Sequence, residues 1–572
     1  MLSNHIRTHK SEWVLASIIT ISFLTLFAMC VKKTGLNFVD EQWVVAASAS
    51  KEHASLNDYD GGWITPDALR RYMTVQLDER FDYSIPLTRC IDLYSQPPAF
   101  FIILHTLLSF FPNQFSKWFT LSINLAMFPL TLYLLWLTAK RLFNSKKKAL
   151  VIVGVYALSA GAIATFVYAH IYAMSAFTVV LTLFSLLKYY DREPRDCAAH
   201  GCHSLALVYA AILLGGLTSY LYWFFAGVFV AVLCILDIKN VKRWFPLAGV
   251  ALTSLITAVI LWPYTVRQFF GGNWVATGAV SSLFNIFKPS KQLFDYIYNS
   301  FFAYYTPIWM SKRLCLFIFL LCVGIAVVSV FKGQKNKRIS NLIMENIAKP
   351  QNKLFIAAAS ALIMGAYLIS LISPFKDHAG QRYFFLLYPV WAMIIGCAIY
   401  SAAKLALDLR RFLKMIVIPA FIIVSLCLNG FNVKLSAAPV QVNMTGVRME
   451  DFNGYLTDSY VIYVNGDNHI IHYLGYTFKL VKGILNYNSN NPASTQEHLA
   501  EYALEQLNYV PSGERILLIV GANGTVDFGT FTPSLKAYGY QIKKIDSEIG
   551  NSPWTSNVIY EISARWKAIT PT

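Results

Sequence analysis

Apolar blocks recur along the first 430 residues of the chain, and short polar segments separate them. Most blocks have about 17 to 20 residues, enough for a helix to cross a hydrocarbon core about 30 Å thick. The first block runs from about Trp13 to Val31, and the others are expected at 115–138, 149–168, 171–187, 204–217, 219–236, 245–264, 313–331, 353–372, 383–401 and 412–430. The pattern predicts a multi-pass α-helical membrane protein with about eleven transmembrane helices.

Basic clusters between the blocks set the orientation of the helices, because cytoplasmic loops carry an excess of Lys and Arg. The apolar run Gln96–Phe111 has about 15 residues and is nearer to an interfacial helix than to a span. If it crossed the membrane, the later basic clusters would all face outward. We therefore expect an outer interfacial helix at Gln96–Phe111. A single long span in 204–236 would likewise place the later basic clusters outside, so we expect two short spans there. The segments expected to face outward are 32–114, 265–312 and everything after residue 430.

The pattern changes in the C-terminal part of the chain, which is more polar. Strand-like apolar runs predict strands at 460–466, 515–521, 540–546 and 558–563. A capping-box spacing at Ser494 and Glu497 predicts a helix over 495–508. We therefore divide the chain into a transmembrane domain, residues 1–430, and an extracytoplasmic α/β domain, residues 431–572.

Composition excludes a conventional soluble enzyme. Hydrophobic residues make up 56% of the chain and charged residues only 14%, whereas soluble domains carry about 25% charged residues. The net charge of +17 would suit nucleic acid, but the basic residues lie in short clusters between apolar blocks, where they act as topology signals. The nine cysteines show no disulfide framework. In CAAHGCH, at 197–203, four potential zinc ligands lie too close together to surround one ion.

Two adjacent carboxylates, Asp40 and Glu41, follow the first apolar block closely. Such a pair begins an ordinary solvated loop or takes part in catalysis. The second alternative is considered because carboxylates at a membrane surface are costly to desolvate. The same outer segment ends in the sequence QPP at 96–98 and in the interfacial run that carries His105. The acidic pair and this run are therefore the starting points for a candidate site.

An acidic pair after the first transmembrane helix, followed by a QPP-led interfacial helix, resembles the GT-C superfamily of glycosyltransferases that use polyprenyl-phosphate sugars. The chain is most similar to the branch of protein mannosyltransferases and aminoarabinose transferases. Three further segments agree with the resemblance: FVYAHIYAMSAF at 166–177, GLTSYLYW at 216–223 and GQRYFFLLYPV at 380–390. The resemblance extends over residues 10–400 and implies a GT-C-like transmembrane fold with outer interfacial helices.

The resemblance implies that an acceptor hydroxyl on the outer face attacks the anomeric carbon of a sugar carried on a polyprenyl phosphate, with inversion. Asp40 matches the first acid of the family and would be the base, while Glu41 would orient acceptor or base. Developing charge on the leaving phosphate calls for cations, and the candidates are Arg382, Lys376, His378 and Arg267. The candidate substrate contacts are Gln96, His105, His170, Tyr172, Tyr220, Tyr222 and Tyr383. The alternatives are snorkelling at a helix end for the arginine and an interfacial aromatic belt for the tyrosines.

Metal-dependent relatives carry an acid where this chain has Tyr172, so no metal cofactor is predicted. The expected partners are a polyprenyl-phosphate-linked sugar donor, a glycan or lipid-linked acceptor and membrane lipids, but no nucleic acid. The expected location is the bacterial inner membrane, with the site and the C-terminal domain facing the periplasm or cell exterior, and the expected role is envelope polysaccharide modification. The alternative is a polyprenyl-linked sugar flippase or transporter, which would place ionisable groups near the middle of its spans.

Overall fold

The computed structural model describes residues 10–33, 36, 39–51, 63–92, 96–191, 201–270, 297–298, 301, 349–372, 378–409, 456–465, 481–488, 507, 509–520, 528–537, 539–549 and 557–564. The spans predicted at 313–331 and 412–430 lie outside these residues, as does nearly all of the helix predicted at 495–508.

Helices dominate the described residues before position 410. They are α1 (Lys10–Lys32), α2 (Val39–Ala49), α3 (Pro66–Tyr72), α4 (Ser84–Asp92), α5 (Ala99–Ser109), α6 (Trp118–Leu142), α7 (Lys146–Ala157), α8 (Ala160–Val167), α9 (Tyr172–Tyr190), α10 (Gly201–Thr218), α11 (Tyr220–Leu236), α12 (Val241–Leu261), α13 (Tyr264–Phe270), α14 (Pro350–Ile372) and α15 (Tyr388–Leu409). A 3-10 helix, His378–Leu387, leads into α15.

Six helical segments among the described residues are long and apolar enough to cross a membrane. They are Ser11–Lys32, Trp118–Leu142, Tyr172–Tyr190, Val241–Leu261, Pro350–Ser370 and Arg382–Ser401. The bent pair α7 and α8 adds a seventh if it is counted as one span, with an angle of 57° between its halves. The break falls where the Ser159 hydroxyl accepts a hydrogen bond from the Ala162 amide, 3.0 Å away, and so caps a new helix. The chain is thus a multi-pass helical protein, while the count of eleven stays a prediction.

The three shorter apolar helices are α5, α10 without its first two residues, and α11. The first of them, α5, is the run that we predicted to lie at the interface. The other two correspond to the pair of short spans expected in 204–236. A break at Ser219 separates them, in agreement with two helices rather than one long helix.

The chain separates into two compact units. The helical unit comprises Met1–Lys32, Cys90–Phe100 and Leu121–Ala437. The sheet unit comprises Lys33–Arg89, Phe101–Thr120 and Ala438–Thr572. This division differs from the predicted boundary at residue 430, because much of the first outer segment belongs to the same unit as the tail.

The sheet unit contains a six-stranded sheet in the order β1-β3-β2-β4-β6-β5. Its strands are β1 (Trp63–Ile64), β2 (Ser459–Asn465), β3 (Val481–Asn488), β4 (Arg515–Val520), β5 (Tyr540–Ile549) and β6 (Asn557–Ala564), and a helix, α16 (Phe528–Ala537), precedes β5. The central strands β3, β2 and β4 are parallel, whereas β1, β6 and β5 pair antiparallel with their neighbours. A core of buried aliphatic side chains lies on the sheet and includes Ile462, Val464, Leu485, Leu518, Leu535 and Ile562.

Strand β1 explains why the first outer segment belongs with the tail. Trp63 pairs with Leu485, and Ile64 pairs with Ile484, in an antiparallel register. The Trp63 ring contacts the Tyr460 ring edge-on, with centroids 5.3 Å apart. Gly483 makes this packing possible, because a Cβ atom there would lie 3.2 Å from both rings.

Candidate functional site

The acidic pair lies in the first turn of α2, where the helix dipole favours negative charge. The Glu41 side chain is fully buried, and both of its carboxylate oxygens accept hydrogen bonds from Lys33 Nζ, at 2.7 and 2.9 Å. Lys33 is itself only 3% exposed, so the ion pair is shielded from water on both sides. The side chain of Asp40 lies outside the described part of the chain.

Two further contacts hold the segment that leads from Lys33 into α2. Gln42 Nε2 donates a hydrogen bond of 2.8 Å to the carbonyl oxygen of Leu36. Lys117 Nζ donates to the carbonyl oxygen of Lys33. The backbone at Lys33 and Leu36 is therefore anchored by side chains from both α2 and the residues before α6.

The other end of α2 is also anchored within the sheet unit. His105 on α5 contacts the carbonyl oxygen of Ser48, 2.7 Å from Nδ1. Arg89 Nε donates to the carbonyl oxygen of Ser50 at 3.2 Å, and Glu79 Oε1 accepts from the amide of Lys51 at 3.0 Å. The helix that carries the acidic pair is thus held at both ends.

The predicted substrate contact His105 is completely buried. Because a carbonyl oxygen can only accept, Nδ1 must carry the proton that it donates to Ser48. Nε2 is buried and has no hydrogen-bond partner among the described residues, so a second proton there would have no acceptor. Burial lowers the pKa of His105 below its usual value of 6.5, although the bond to Ser48 acts in the opposite direction. The ring therefore lies in the fold as a neutral imidazole.

We expect the stability of the protein to depend on pH through His105. The folded state prefers the neutral ring, so this contribution is complete above the unfolded pKa of about 6.5 and is lost as the pH falls through the lower folded pKa. His105→Gln keeps a donor but does not titrate, so its unfolding midpoint should fall less on acidification. Thermal unfolding in detergent between about pH 8 and pH 5 measures the difference. His203→Gln, at an exposed position, is the control; a curve for His105→Gln as steep as that of the wild type would contradict this role.

In the helical unit, aromatic rings surround the turn between α8 and α9. We call Tyr168, His170, Tyr172, Tyr383 and Phe385 the aromatic cluster. The His170 and Tyr172 rings are stacked, with centroids 4.8 Å apart, and Tyr172 lies edge-on to Tyr383 at 6.4 Å and to Phe385 at 5.8 Å. The structure thus brings together three predicted contacts, His170, Tyr172 and Tyr383.

Arg382 places a cation beside the aromatic cluster. Its Nη1 lies 3.4 Å from Tyr168 Oη and its Nη2 lies 3.4 Å from Tyr383 Oη. Its guanidinium carbon is 5.2 Å from the centroid of the Tyr383 ring, a cation–π distance. A guanidinium held in this way can bind phosphate oxygens bidentately.

Tyr220 and Tyr222 lie at the start of α11, and hydrogen bonds to neighbouring helices involve both hydroxyls. Tyr220 Oη accepts from Trp262 Nε1 at 3.0 Å. Tyr222 Oη is 2.6 Å from Thr182 Oγ1 and its side chain is fully buried. Tyr222 therefore packs helices together, and its predicted contact with substrate would require the helices to move apart.

The remaining predicted residues are scattered. Gln96 is half-buried just before α5, and Arg267 is exposed on α13. Lys376 lies outside the described residues, and so does the side chain of His378. Within the described ranges there is no group of three or more His, Cys, Asp or Glu that could hold a metal ion; that transfer proceeds without a metal stays a prediction.

The sequence did not single out Lys33 or Asn124. Lys33 follows Lys32 at the end of the first apolar block, where lysines usually flank a span in contact with water. Asn124 lies within an apolar block, and its Nδ2 donates to the carbonyl oxygens of Tyr168, at 2.7 Å, and Phe166, at 3.1 Å. The sequence signal that could have identified Asn124 is its position as a polar residue inside an apolar block.

The described helices have the multi-pass fold of the solved structure of ArnT, a GT-C protein, which confirms the fold that the sequence resemblance implied. The crystal structure of ArnT from Cupriavidus metallidurans in the apo state aligns with a TM-score of 0.50 and 11% identity, over 96% of this chain and 98% of that chain. At this identity the likeness concerns the fold alone.

Two other solved structures align less well. ArnT from Cupriavidus metallidurans bound to undecaprenyl phosphate gives a TM-score of 0.49 at 11% identity, over 96% of this chain and 98% of that chain. The archaeal oligosaccharyltransferase AglB from Archaeoglobus fulgidus, in complex with an inhibitory peptide and a dolichol-phosphate, gives 0.42 at 11% identity, over 90% of this chain and 70% of that chain. No protein-family model matches the chain, and no curated protein matches its sequence.

Proposed function

We propose that the chain is an inverting glycosyltransferase that moves a sugar from a polyprenyl-phosphate donor to a glycan or lipid-linked acceptor on the outer face of the membrane. The observation that carries the proposal is the acidic pair in the first turn of α2, directly after the first membrane helix of a GT-C fold. Fold alone does not define chemistry, so the proposal depends on these residues.

Asp40 is the proposed general base. The acceptor hydroxyl must lose its proton as it attacks the anomeric carbon, and a carboxylate can accept that proton. Such a step contributes about 10²- to 10⁴-fold to the rate. The leaving group is already a phosphate, so no second acid is needed to protonate it, unlike in glycoside hydrolysis.

Arg382 is the proposed phosphate ligand. Negative charge grows on the phosphate oxygens as the glycosidic bond breaks, and a fixed cation stabilises it. His170 and Tyr172 beside Arg382 are stacked and buried, at 7% and 4% exposed, so a contact with the sugar or the isoprenoid would require the aromatic cluster to open. Lys376, His378 and Arg267 stay as further candidates for the phosphate.

We propose the bacterial inner membrane as the location, with the site facing the periplasm or cell exterior, and an envelope polysaccharide as the acceptor. ArnT, with the same fold, has been crystallised with undecaprenyl phosphate, a lipid of the class that the proposed reaction releases. We propose that the reaction needs no metal, because Arg382 supplies a cation for the leaving phosphate.

The assay that tests the proposal measures free polyprenyl phosphate released from polyprenyl-phosphate sugars by purified protein in lipid vesicles. Release should require a crude envelope-glycan acceptor, and EDTA should leave the rate unchanged. Sugar transfer and lipid release should occur in equal amounts. Passage of the intact donor between leaflets, without release, would instead favour a flippase.

A further inference from the structure

We propose that Lys33 and Glu41 are a positioning pair for Asp40: they fix the first turn of α2 and do not touch the substrate. This inference rests on the proposed function and assigns Glu41 a role different from orienting the acceptor. The first reason is burial, since the Glu41 side chain has no exposed surface and Lys33 is 3% exposed. A group with no accessible surface makes no contact with an acceptor or a donor.

The second reason is geometry. Lys33 precedes α2, and its Nζ binds both oxygens of Glu41, the residue next to Asp40. Successive residues of a helix are rotated by about 100° around its axis. A fixed Glu41 therefore fixes the rotation of the first turn and, with it, the backbone of Asp40. The bond from Lys117 to the Lys33 carbonyl oxygen anchors the other partner of the pair.

The third reason is charge. Lys33 neutralises Glu41, so the pair adds no net charge next to Asp40. A second uncompensated carboxylate would repel an anionic phosphate donor and would favour protonation of the base. The pair thus keeps a carboxylate fixed in the fold without the electrostatic disadvantage of two adjacent negative charges.

A double-mutant cycle tests the pair through kcat and the donor KM. Lys33→Met and Glu41→Met each leave one buried charge without its partner, whereas the combination removes both charges and keeps similar volumes. We expect each single variant to lower kcat by about 100-fold, as a misplaced reacting group does, with the donor KM nearly unchanged. The double variant should recover at least about 10-fold over either single variant, because no unpaired buried charge is left.

Several outcomes would overturn the inference. A double variant no more active than Glu41→Met would indicate that the Glu41 carboxylate itself acts on the substrate. A loss of folded protein with normal kcat per folded molecule would indicate a purely structural pair. If the single variants do not fold, Lys33→Arg tests the inference instead. Because arginine keeps the positive charge, this variant should retain most of kcat. A large fall in kcat for Lys33→Arg would contradict the positioning role.

Failure of the proposed function is distinguishable from failure of the pair. A wild-type protein that transfers no sugar overturns the proposed function and, with it, a role in catalysis. Thermal unfolding reports the pairing independently of activity: the midpoint should fall for both single variants and rise again in the double variant. Equal midpoints in all four proteins would show that the two charges are not coupled.

Discussion

Asp40→Asn should reduce acceptor-dependent sugar transfer by about 10²- to 10⁴-fold, the range typical of a lost general base. The amide has nearly the same shape as the carboxylate but cannot accept the proton of the acceptor hydroxyl. The loss should appear in kcat, while the donor KM changes little, because the base acts in the transition state. The measurement is release of free polyprenyl phosphate at saturating donor and acceptor.

The control for this variant lies in the same outer segment. Asp67 is exposed and pairs with Arg70 at 3.0 Å on the surface of α3, so Asp67→Asn should leave transfer unchanged. Surface ion pairs of this kind contribute about 0 to 1 kcal/mol to stability. Equal release by Asp40→Asn and the wild type, with both folded, would contradict the proposed base.

Among the described residues, the hydrophobic pattern predicted the long apolar helices, because burial in lipid imposes a long apolar run whatever the neighbouring residues are. The expected block at 149–168 appears as the bent pair α7 and α8, since Ser159 caps a new helix inside it. The block at 383–401 begins in a 3-10 helix and continues to Leu409. The first difference arises from a local hydrogen bond, which hydropathy does not report.

Strands were predicted only where an apolar run is strand-like and little interrupted. The runs at β2, β4, β5 and β6 were expected, but β3 was missed because Lys482, Gly483 and Asn486 interrupt its apolar positions. The missed β1 has two residues, Trp63 and Ile64. Its pairing with β3 is a long-range contact. The close packing of Trp63 against Gly483 is visible only in the fold.

The candidate site was predictable in its residue types and less so in their roles. An acidic pair after a span, and an Arg-Tyr at the start of another, are visible in the sequence. That Lys33 would bury its ammonium against Glu41 is not visible, because charged residues are seldom fully buried and pairing depends on tertiary packing. His105 illustrates the same limit, since its bond to Ser48 joins residues 57 positions apart.

Arg382→Gln should have the second large effect, a loss of about 10²- to 10³-fold in kcat/KM, comparable to the removal of one donor that stabilises developing negative charge. Gln keeps hydrogen-bonding capacity but has no charge for the phosphate. Arg382→Lys should recover part of the loss, because an ammonium supplies the charge without the bidentate fork. Release of polyprenyl phosphate over a range of donor concentrations separates kcat from KM.

Arg141 provides the matched control for Arg382, since it is also an arginine stacked on an aromatic ring. Its guanidinium lies 5.6 Å from the Phe184 centroid, in the last turn of α6, an end that we predict to face the cytoplasm. Arg141→Gln removes the same cation–π contact and should leave kcat/KM unchanged. If both variants lost activity equally, stacking would explain the effect. If only Arg382→Gln lost activity, and Arg382→Lys restored part of it, charge at the leaving phosphate is the explanation that remains.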